Sequence, residues 1–198
     1  MTASALHLTG DERADALLST DPNALLIGMV LDQQVTMEKA FAGPAVIADR
    51  MGGGLDVRAI ADADPDSFAA VCSERPAVHR FPGAMAKRVQ AVCRVLVDSY
   101  ESDAGNLWLG VRTGDELRER IASLPGFGAQ KAGIFVALLG KQYGVQPEGW
   151  REAAGIYGED GSFRSVADVV DEDSLDRVRA SKKAAKAAAK GAPAKESV

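Results

Sequence analysis

The sequence predicts an all-α protein. Apolar residues recur at the spacing of one helix face in nearly every segment, and helix-capping residues precede most of these segments. No segment shows the strict alternation of apolar and polar residues that marks a half-buried strand. With 198 residues, of which 46% are hydrophobic and 26% charged, the chain can bury one core or two small lobes that share a cleft.

The first two helices are predicted from their start signals. Thr9 and Glu12 have the spacing of a capping box before an apolar run. Asp21 followed by Pro22 is a cap with proline at the first helical position, and residues 24–34 after it are apolar nearly all round. A helix without a polar face is buried inside its domain, so we expect this one within the core.

The remaining helices follow from apolar residues at positions i, i+3, i+4 and i+7. Thr36 is the expected cap of the third helix, and Pro44 inside that pattern predicts a kink or a break. The further predicted helical segments are residues 65–72, 84–100, 117–124, 132–139, 152–154 and 175–178.

Cysteine usage and hydropathy limit the cofactors and the location. The two cysteines, Cys72 and Cys93, lie beside apolar residues in helical patterns, which predicts buried thiols. Two thiols are too few for a four-thiolate iron–sulfur cluster within this chain, and no zinc-ligand spacing is present. The N-terminus lacks the features of a signal peptide, and no stretch approaches the roughly 18 apolar residues of a membrane span. We therefore expect a cytoplasmic protein without membrane contact.

The charge is distributed unevenly along the chain. Residues 179–198 contain six basic and one acidic residue and carry +5, so residues 1–178 carry −10 of the formal net charge of −5. We expect a helical domain over residues 1–178 and a basic Ala/Lys-rich tail over residues 179–198, disordered or a fraying helix on its own. The tail has two open interpretations: non-specific attraction to nucleic acid, or a solvated segment that aids solubility.

The most informative string is Leu-Pro-Gly-Phe-Gly-Ala-Gln-Lys-Ala-Gly, residues 124–133. Gly126 and Gly128 allow a tight turn and a close approach of the backbone to a bulky group. The helix that follows directs unpaired N–H groups and the positive end of its dipole outward. These features suit a phosphate, and nothing in the string distinguishes one base from another. The alternative is an ordinary tight turn between two core helices.

This string resembles the second half of the helix-hairpin-helix of the endonuclease III-like DNA glycosylases, the HhH-GPD superfamily. The resemblance extends over roughly residues 20–165 and implies two helical lobes around a cleft. It implies a monomeric, nucleoid-associated base-excision glycosylase that binds double-stranded DNA with a damaged base. It also implies a monovalent cation held by hairpin carbonyls, by position those of Ala122, Leu124 and Phe127.

The same resemblance implies a set of DNA-binding residues. Leu31 to Thr36 resembles a family segment in which a glutamine fills the gap left by a flipped-out nucleotide, by position Gln34 with Gln33 as its neighbour. Residues 80–96 resemble, loosely, a family helix near the pocket. The expected DNA-binding residues are Leu124, Gly126, Phe127, Gly128, Gln130, Lys131, Gln33 and Gln34.

The expected catalytic residue is a carboxylate. The family places an aspartate about eighteen residues after the second position beyond Gly-x-Gly; that position is Gln130 here, and the residue eighteen further on is Glu148. Bifunctional relatives have lysine at the Gln130 position, and an amide is not a nucleophile, so we expect a monofunctional enzyme. Lys131 lies about 100° further round the helix and should face elsewhere. The carboxylates that lie near enough to substitute are Glu152, Glu159 and Asp160.

Two other functions remain open. The first is a non-catalytic DNA-binding relative that kept the hairpin and lost the aspartate. The second, favoured by the acidic body, is a helical protein-interaction domain without nucleic acid. The aromatic side chains that offer stacking surfaces for a base are His79, Phe81, Trp108 and Trp150.

Overall fold

The computed structural model describes residues 5–191, which form an all-α fold, as the sequence predicts. The α-helices are α1 (Glu12–Thr20), α2 (Pro22–Leu31), α3 (Met37–Arg50), α4 (Val57–Asp62), α5 (Pro65–Ser73), α6 (Pro82–Ser99), α7 (Gly114–Ala122), α8 (Ala129–Gln142), α9 (Trp150–Ala154) and α10 (Glu172–Gly191). Short 3₁₀ helices occupy Ala104–Leu107, Gly155–Tyr157 and Val166–Asp168. Within residues 5–191 the β-structure is limited to one isolated bridge, between Thr113 and Glu148.

The helices form two groups that share one hydrophobic core. In the first group α2 packs on α1, α3 and α6, and α6 covers α4 and α5. In the second group α8 packs on α7, α9 and the 3₁₀ helix Val166–Asp168. Every residue of α2 from Ala24 to Leu31 is buried, as expected of a helix without a polar face.

Most of the predicted helix starts are present. The side chains of Asp21, Thr36 and Asp64 cap α2, α3 and α5. The predicted capping box at the first helix is wrong: the carboxylate of Asp11 accepts the Ala14 N–H, and the Thr9 hydroxyl binds Asp15 instead. A short polar side chain directly before the helix is nearer to the first free N–H groups than one two residues earlier.

Other boundaries differ from the sequence prediction. Helix α2 ends at Leu31 rather than at Gln34, and α3 continues through Pro44 without a break. Helix α4 and the 3₁₀ helix Ala104–Leu107 were not predicted, because a segment of four to six residues is too short for periodicity to show.

The remaining expectations concern the thiols, the tail and the membrane. Cys72 and Cys93 are buried, as predicted, and burial raises the pKa of these thiols to about 11 and about 12. Helix α10 contains the first part of the predicted tail, up to Gly191, whereas residues 192–198 lie outside the described part of the chain. Among residues 5–191 no helix combines the length and the hydropathy that crossing a membrane requires.

Candidate nucleic-acid interface

The turn between α7 and α8 is anchored by two buried side chains. Leu124 and Phe127 are 2% and 6% exposed, and the Phe127 N–H donates to the Leu124 carbonyl at 3.1 Å. Gly126 lies between them with φ +81°, a conformation that side chains disfavour, so glycine is favoured there. The apolar anchors fix the turn to the core and leave its glycines on the surface.

The start of α8 presents free backbone donors to solvent. Gly128 is the N-cap, and no side chain caps the helix. Gly126, Gly128 and Gln130 are exposed, and a Cβ built on Gly128 would meet no atom within 4 Å. The first-turn N–H groups have no partner within the helix and carry its positive dipole end. The geometry is that of an open anion site suited to a backbone phosphate.

The loop between α2 and α3 holds the two predicted gap-filling glutamines in different states. Gln34 is exposed and has φ +56°, a conformation uncommon for any residue other than glycine. The Gln33 side chain, in contrast, is engaged: its Nε2 donates to the Val30 carbonyl at 3.0 Å and its Oε1 accepts from Arg88. The Gln34 amide, in contrast to that of Gln33, forms no hydrogen bond within residues 5–191.

His79 and Arg88 fix this loop beside the hairpin. The Phe81 N–H donates to His79 Nδ1 at 2.9 Å, so the proton is on Nε2, which lies 2.7 Å from the Gln33 carbonyl and donates to it. The Arg88 side chain runs from Gln33 to the hairpin, where its Cδ would lie 3.9 Å from a Cβ built on Gly126. The Arg88 side chain thus binds the glutamine loop through its guanidinium and lies beside the glycine turn through its aliphatic part.

Lys131 joins α8 to the end of α2. Its Nζ donates to the carbonyls of Met29 and Val30 at 2.8 and 3.2 Å, and it lies 5.5 Å from the centre of the Phe127 ring. Burial lowers its pKa to about 8, against the opposing effect of the Asp32 carboxylate. Its amine therefore occupies the negative end of the α2 dipole rather than the surface that Gln130 faces.

Gln130 and Tyr157 form a polar pair at the start of α8. Gln130 Nε2 donates to the Tyr157 hydroxyl at 2.9 Å. Sequence reasoning did not predict Tyr157, because it lies 27 residues further along the chain and belongs to no recognisable motif. Asp32 was also missed, although it stands inside the same Leu31 to Thr36 string that identified the glutamines.

The structure places Glu148 away from this surface. Its backbone pairs with the start of α7: the Gly114 N–H donates to the Glu148 carbonyl at 2.7 Å, and the Glu148 N–H donates to the Arg112 carbonyl at 3.1 Å. The nine residues of α7 span about 13 Å between that bridge and the hairpin. The chain returns to the start of α8 at Tyr157, so the residue eighteen positions after Gln130 lies at the end of the helix pair opposite the hairpin. The catalytic role of Glu148 stays a prediction that its position does not favour.

The substitutes for Glu148 are engaged or distant. Glu159 and Asp160 form ion pairs with Arg164 and Arg151. Glu152 is exposed on α9, the helix that follows Glu148. None of the three has a hydrogen bond to the hairpin or the glutamine loop among the described residues.

Of the four candidate stacking aromatics, one is available. Trp108 and Trp150 are core residues, 8% and 7% exposed, and His79 is buried where it orients the glutamine loop. Phe81 is 44% exposed at the start of α6, with the Arg80 guanidinium 5.3 Å from its ring centre. The tryptophan assignments were wrong because hydropathy does not distinguish an aromatic packed in a core from one in a pocket wall.

The hairpin carbonyls are compatible with a monovalent cation. Ala122 ends α7, where carbonyls lack helix partners and carry the negative dipole end. The Leu124 carbonyl accepts one hydrogen bond, from Phe127, and keeps a second lone pair. These two groups and the Phe127 carbonyl lie within six residues of the chain, and all three are neutral oxygen donors.

One protein family matches most of the chain. A family model described as the HhH-GPD superfamily base excision DNA repair protein matches residues 27–192. The match includes the glutamine loop, the hairpin and all of α10. No curated protein and no solved structure gave a significant match.

Proposed function

Because the chain belongs to the HhH-GPD superfamily of base-excision DNA repair proteins, we propose that it is a monofunctional DNA glycosylase that removes a damaged base from duplex DNA. The observation that carries the proposal is Gln34, an exposed amide at positive φ in the loop that Arg88 joins to the open hairpin. The hairpin would hold the phosphate backbone, and Gln34 would occupy the gap that a flipped nucleotide leaves.

The reaction requires a carboxylate near the flipped sugar. Hydrolysis breaks the bond between C1′ and the base nitrogen, and the oxygen of a water takes the place of the base. A carboxylate stabilises the positive charge that develops on the sugar and accepts the proton of the water. Glu148, at the far end of α8, is poorly placed for both tasks.

Asp32 is the carboxylate that we propose for this role. It is the C-cap of α2 and opens the loop that contains Gln33 and Gln34. It is half-buried, it forms no ion pair within the described chain, and its charge acts on Lys131 in the first turn of α8. A carboxylate there is close to both the hairpin helix and the gap-filling amide.

We expect no strand cleavage because of two residues in the first turn of α8. Gln130 has no nucleophilic nitrogen, and it is hydrogen-bonded to Tyr157. The Lys131 amine is bound to the α2 carbonyls. Water would therefore be the nucleophile, and the abasic site would remain unnicked.

The partners and the location are part of the same proposal. The protein would act as a monomer on damaged duplex DNA, in the cytoplasm at the nucleoid. A monovalent cation at the carbonyls of Ala122, Leu124 and Phe127 would place positive charge beside the bound phosphate. No redox cofactor has a part in this hydrolysis.

The test is single-turnover base release from duplexes that carry alkylated, deaminated or oxidised bases. We expect Asp32→Asn to lower the rate roughly 10²-fold or more, since a transition-state carboxylate contributes several kcal/mol. Glu148→Gln is the matched variant, and it should release base at the wild-type rate. The opposite pattern would return the catalytic role to Glu148.

A second function is favoured by the position of Glu148. If the family's catalytic carboxylate is lost, the protein would bind lesions without excising them. Wild-type protein that binds abasic-analogue duplex but releases no base across the panel would establish that function. A covalent adduct trapped by borohydride would instead contradict the monofunctional assignment.

A further inference from the structure

Helix α10 extends from the protein body next to the glutamine loop. Val178 is the last buried residue among those of α10 whose burial is described, and the thirteen residues from Arg179 to Gly191 continue for about 20 Å. Arg179 forms ion pairs with Glu38, in the first turn of α3, and with Asp176. This contact fixes where the projecting half of α10 begins.

The first free lysine of α10 stands beside the residues that follow Gln34. Lys182 lines a cavity of about 220 Å³ together with Val35 and Thr36. Lys182 and Lys183 are both exposed, and neither forms an ion pair within residues 5–191. The projecting half of α10 therefore starts at the loop that we propose enters the DNA.

The sequence of this segment spaces its lysines at the interval of one helix face. Sequence positions 182, 183, 186 and 190 fall within an arc of about 100° at 100° per residue. The other positions from 184 to 189 are alanine, which gives the helix no apolar face for docking on the body. Within residues 181–191 there is no acidic residue, although the chain as a whole has a net charge of −5.

We infer that the projecting half of α10 is an arm that binds the DNA phosphate backbone next to the Gln34 loop. The inference rests on the proposed function and adds a second contact to the hairpin. The lysine face and a duplex are complementary in charge, because DNA carries one negative charge per about 1.7 Å of axis. Since Arg179 anchors the arm at α3, the lysines have a fixed direction relative to Gln34. Their contribution to DNA affinity would therefore depend on their position on the helix and not only on the net charge.

The experiment measures the affinity of the full chain for a fluorescent duplex of about 20 base pairs between 50 and 200 mM KCl. Lys182→Ala combined with Lys183→Ala removes two phosphate contacts. We expect ~10-fold weaker binding in 100 mM KCl. The slope of log affinity against log salt should fall by about 1.8, since each contact contributes about 0.9.

The control variant keeps the net charge and moves it to the opposite side of the helix. It combines Lys182→Ala and Lys183→Ala with Ala184→Lys and Ala185→Lys, at two positions that are exposed in the structure. A directed arm predicts that this variant binds as weakly as the double alanine variant. If it binds like the wild type, the lysines act only through total charge and the inference is wrong. Helix content from circular dichroism confirms that α10 remains folded.

The wild type and a hairpin variant separate this inference from the proposed function. Failure of the wild type to bind any duplex would overturn both. Binding that is lost in Gly126→Asp but unchanged in both α10 variants would overturn the arm alone. If the wild type binds an acidic protein but does not bind DNA, the arm serves a protein partner and the inference is wrong.

Discussion

The two ends of the α7–α8 pair have opposite properties. At one end the glycines of the hairpin are exposed, and the first turn of α8 has no side-chain cap. At the other end the loop after α8 pairs with the start of α7, and the Trp150 ring packs on Gly140. Backbone donors are thus free at the hairpin end and bonded at the Glu148 end.

This difference shows which end of the helix pair has unpaired backbone groups that can bind a ligand. A phosphate requires unpaired N–H groups, and these occur at the hairpin. At the Glu148 end the backbone groups are already used to hold the loop in place. The glycines at the two ends accordingly have different roles: Gly126 makes an exposed turn, and Gly140 makes room for a ring.

The largest expected effect comes from Gly126→Asp. The new carboxylate would repel a phosphate and distort the turn, so duplex affinity should fall about 100-fold, which corresponds to the loss of about one hydrogen bond to a charged group. The matched control is Gly144→Asp, at the other end of α8, where φ is +74° and the space is equally open. It adds the same charge in a similar backbone conformation and should leave affinity unchanged. Equal losses in both variants would mean that net charge, not the hairpin, determines binding.

Gly140→Ala should lower the stability of the protein rather than its affinity for DNA. A Cβ at this position would overlap the Trp150 ring, so the free energy of unfolding should fall by about 1–3 kcal/mol, as for other overpacked cores. The DNA affinity of the folded protein should stay the same. Chemical denaturation and fluorescence anisotropy on one preparation measure both quantities. A loss of affinity without a loss of stability would show that the Glu148 end takes part in binding.

Gln34→Ala should weaken binding to damaged duplexes only. Its amide would bond the partner base across the gap, so binding to an abasic-analogue duplex should weaken about 5- to 10-fold. Binding to undamaged duplex should not change. Gln146→Ala is the control from the Glu148 end, where this side chain donates to the Gly140 carbonyl at 2.7 Å. If the two duplexes weaken equally in Gln34→Ala, the residue has a general rather than a gap-filling role.

The smallest effect concerns pH and Lys131. The pKa of Lys131 is about 8 in the folded chain and 10.5 in the absence of burial. Between these values the unfolded chain binds the proton that the folded chain has released, so raising the pH favours folding. The wild type should therefore gain stability relative to Lys131→Met from pH 8 to pH 10, measured by urea unfolding. A constant difference across that range would mean that the folded-state pKa is not lowered.

Much of the fold was predictable because its signals are local. Asp21, Thr36 and Asp64 cap helices where the sequence indicates, and the uniformly apolar second helix is buried. The hairpin was predictable for the same reason. Leu124, Gly126 and Phe127 lie within four residues, so their chemistry defines the turn without reference to the rest of the chain.

The path of the chain after α8 was not predictable. The string around Glu148 contains a carboxylate at the expected count, but a count does not define where a loop goes. Its direction depends on backbone pairing with Arg112 and Gly114, more than 30 residues earlier. Trp108 and Trp150 were misassigned for a related reason, since burial depends on neighbours that are distant in sequence.

The sequence by itself therefore determined the helices, their caps, the glycine turn and the basic composition of α10. Periodicity, capping and backbone freedom act within about one helical turn, so they are written in adjacent residues. Only the tertiary structure decided that Arg88 spans from Gln33 to the hairpin, that Lys131 binds the end of α2, and that α10 begins its projection beside Gln34. These contacts join residues as far as 141 positions apart, and they form only when the core has fixed the helices relative to one another.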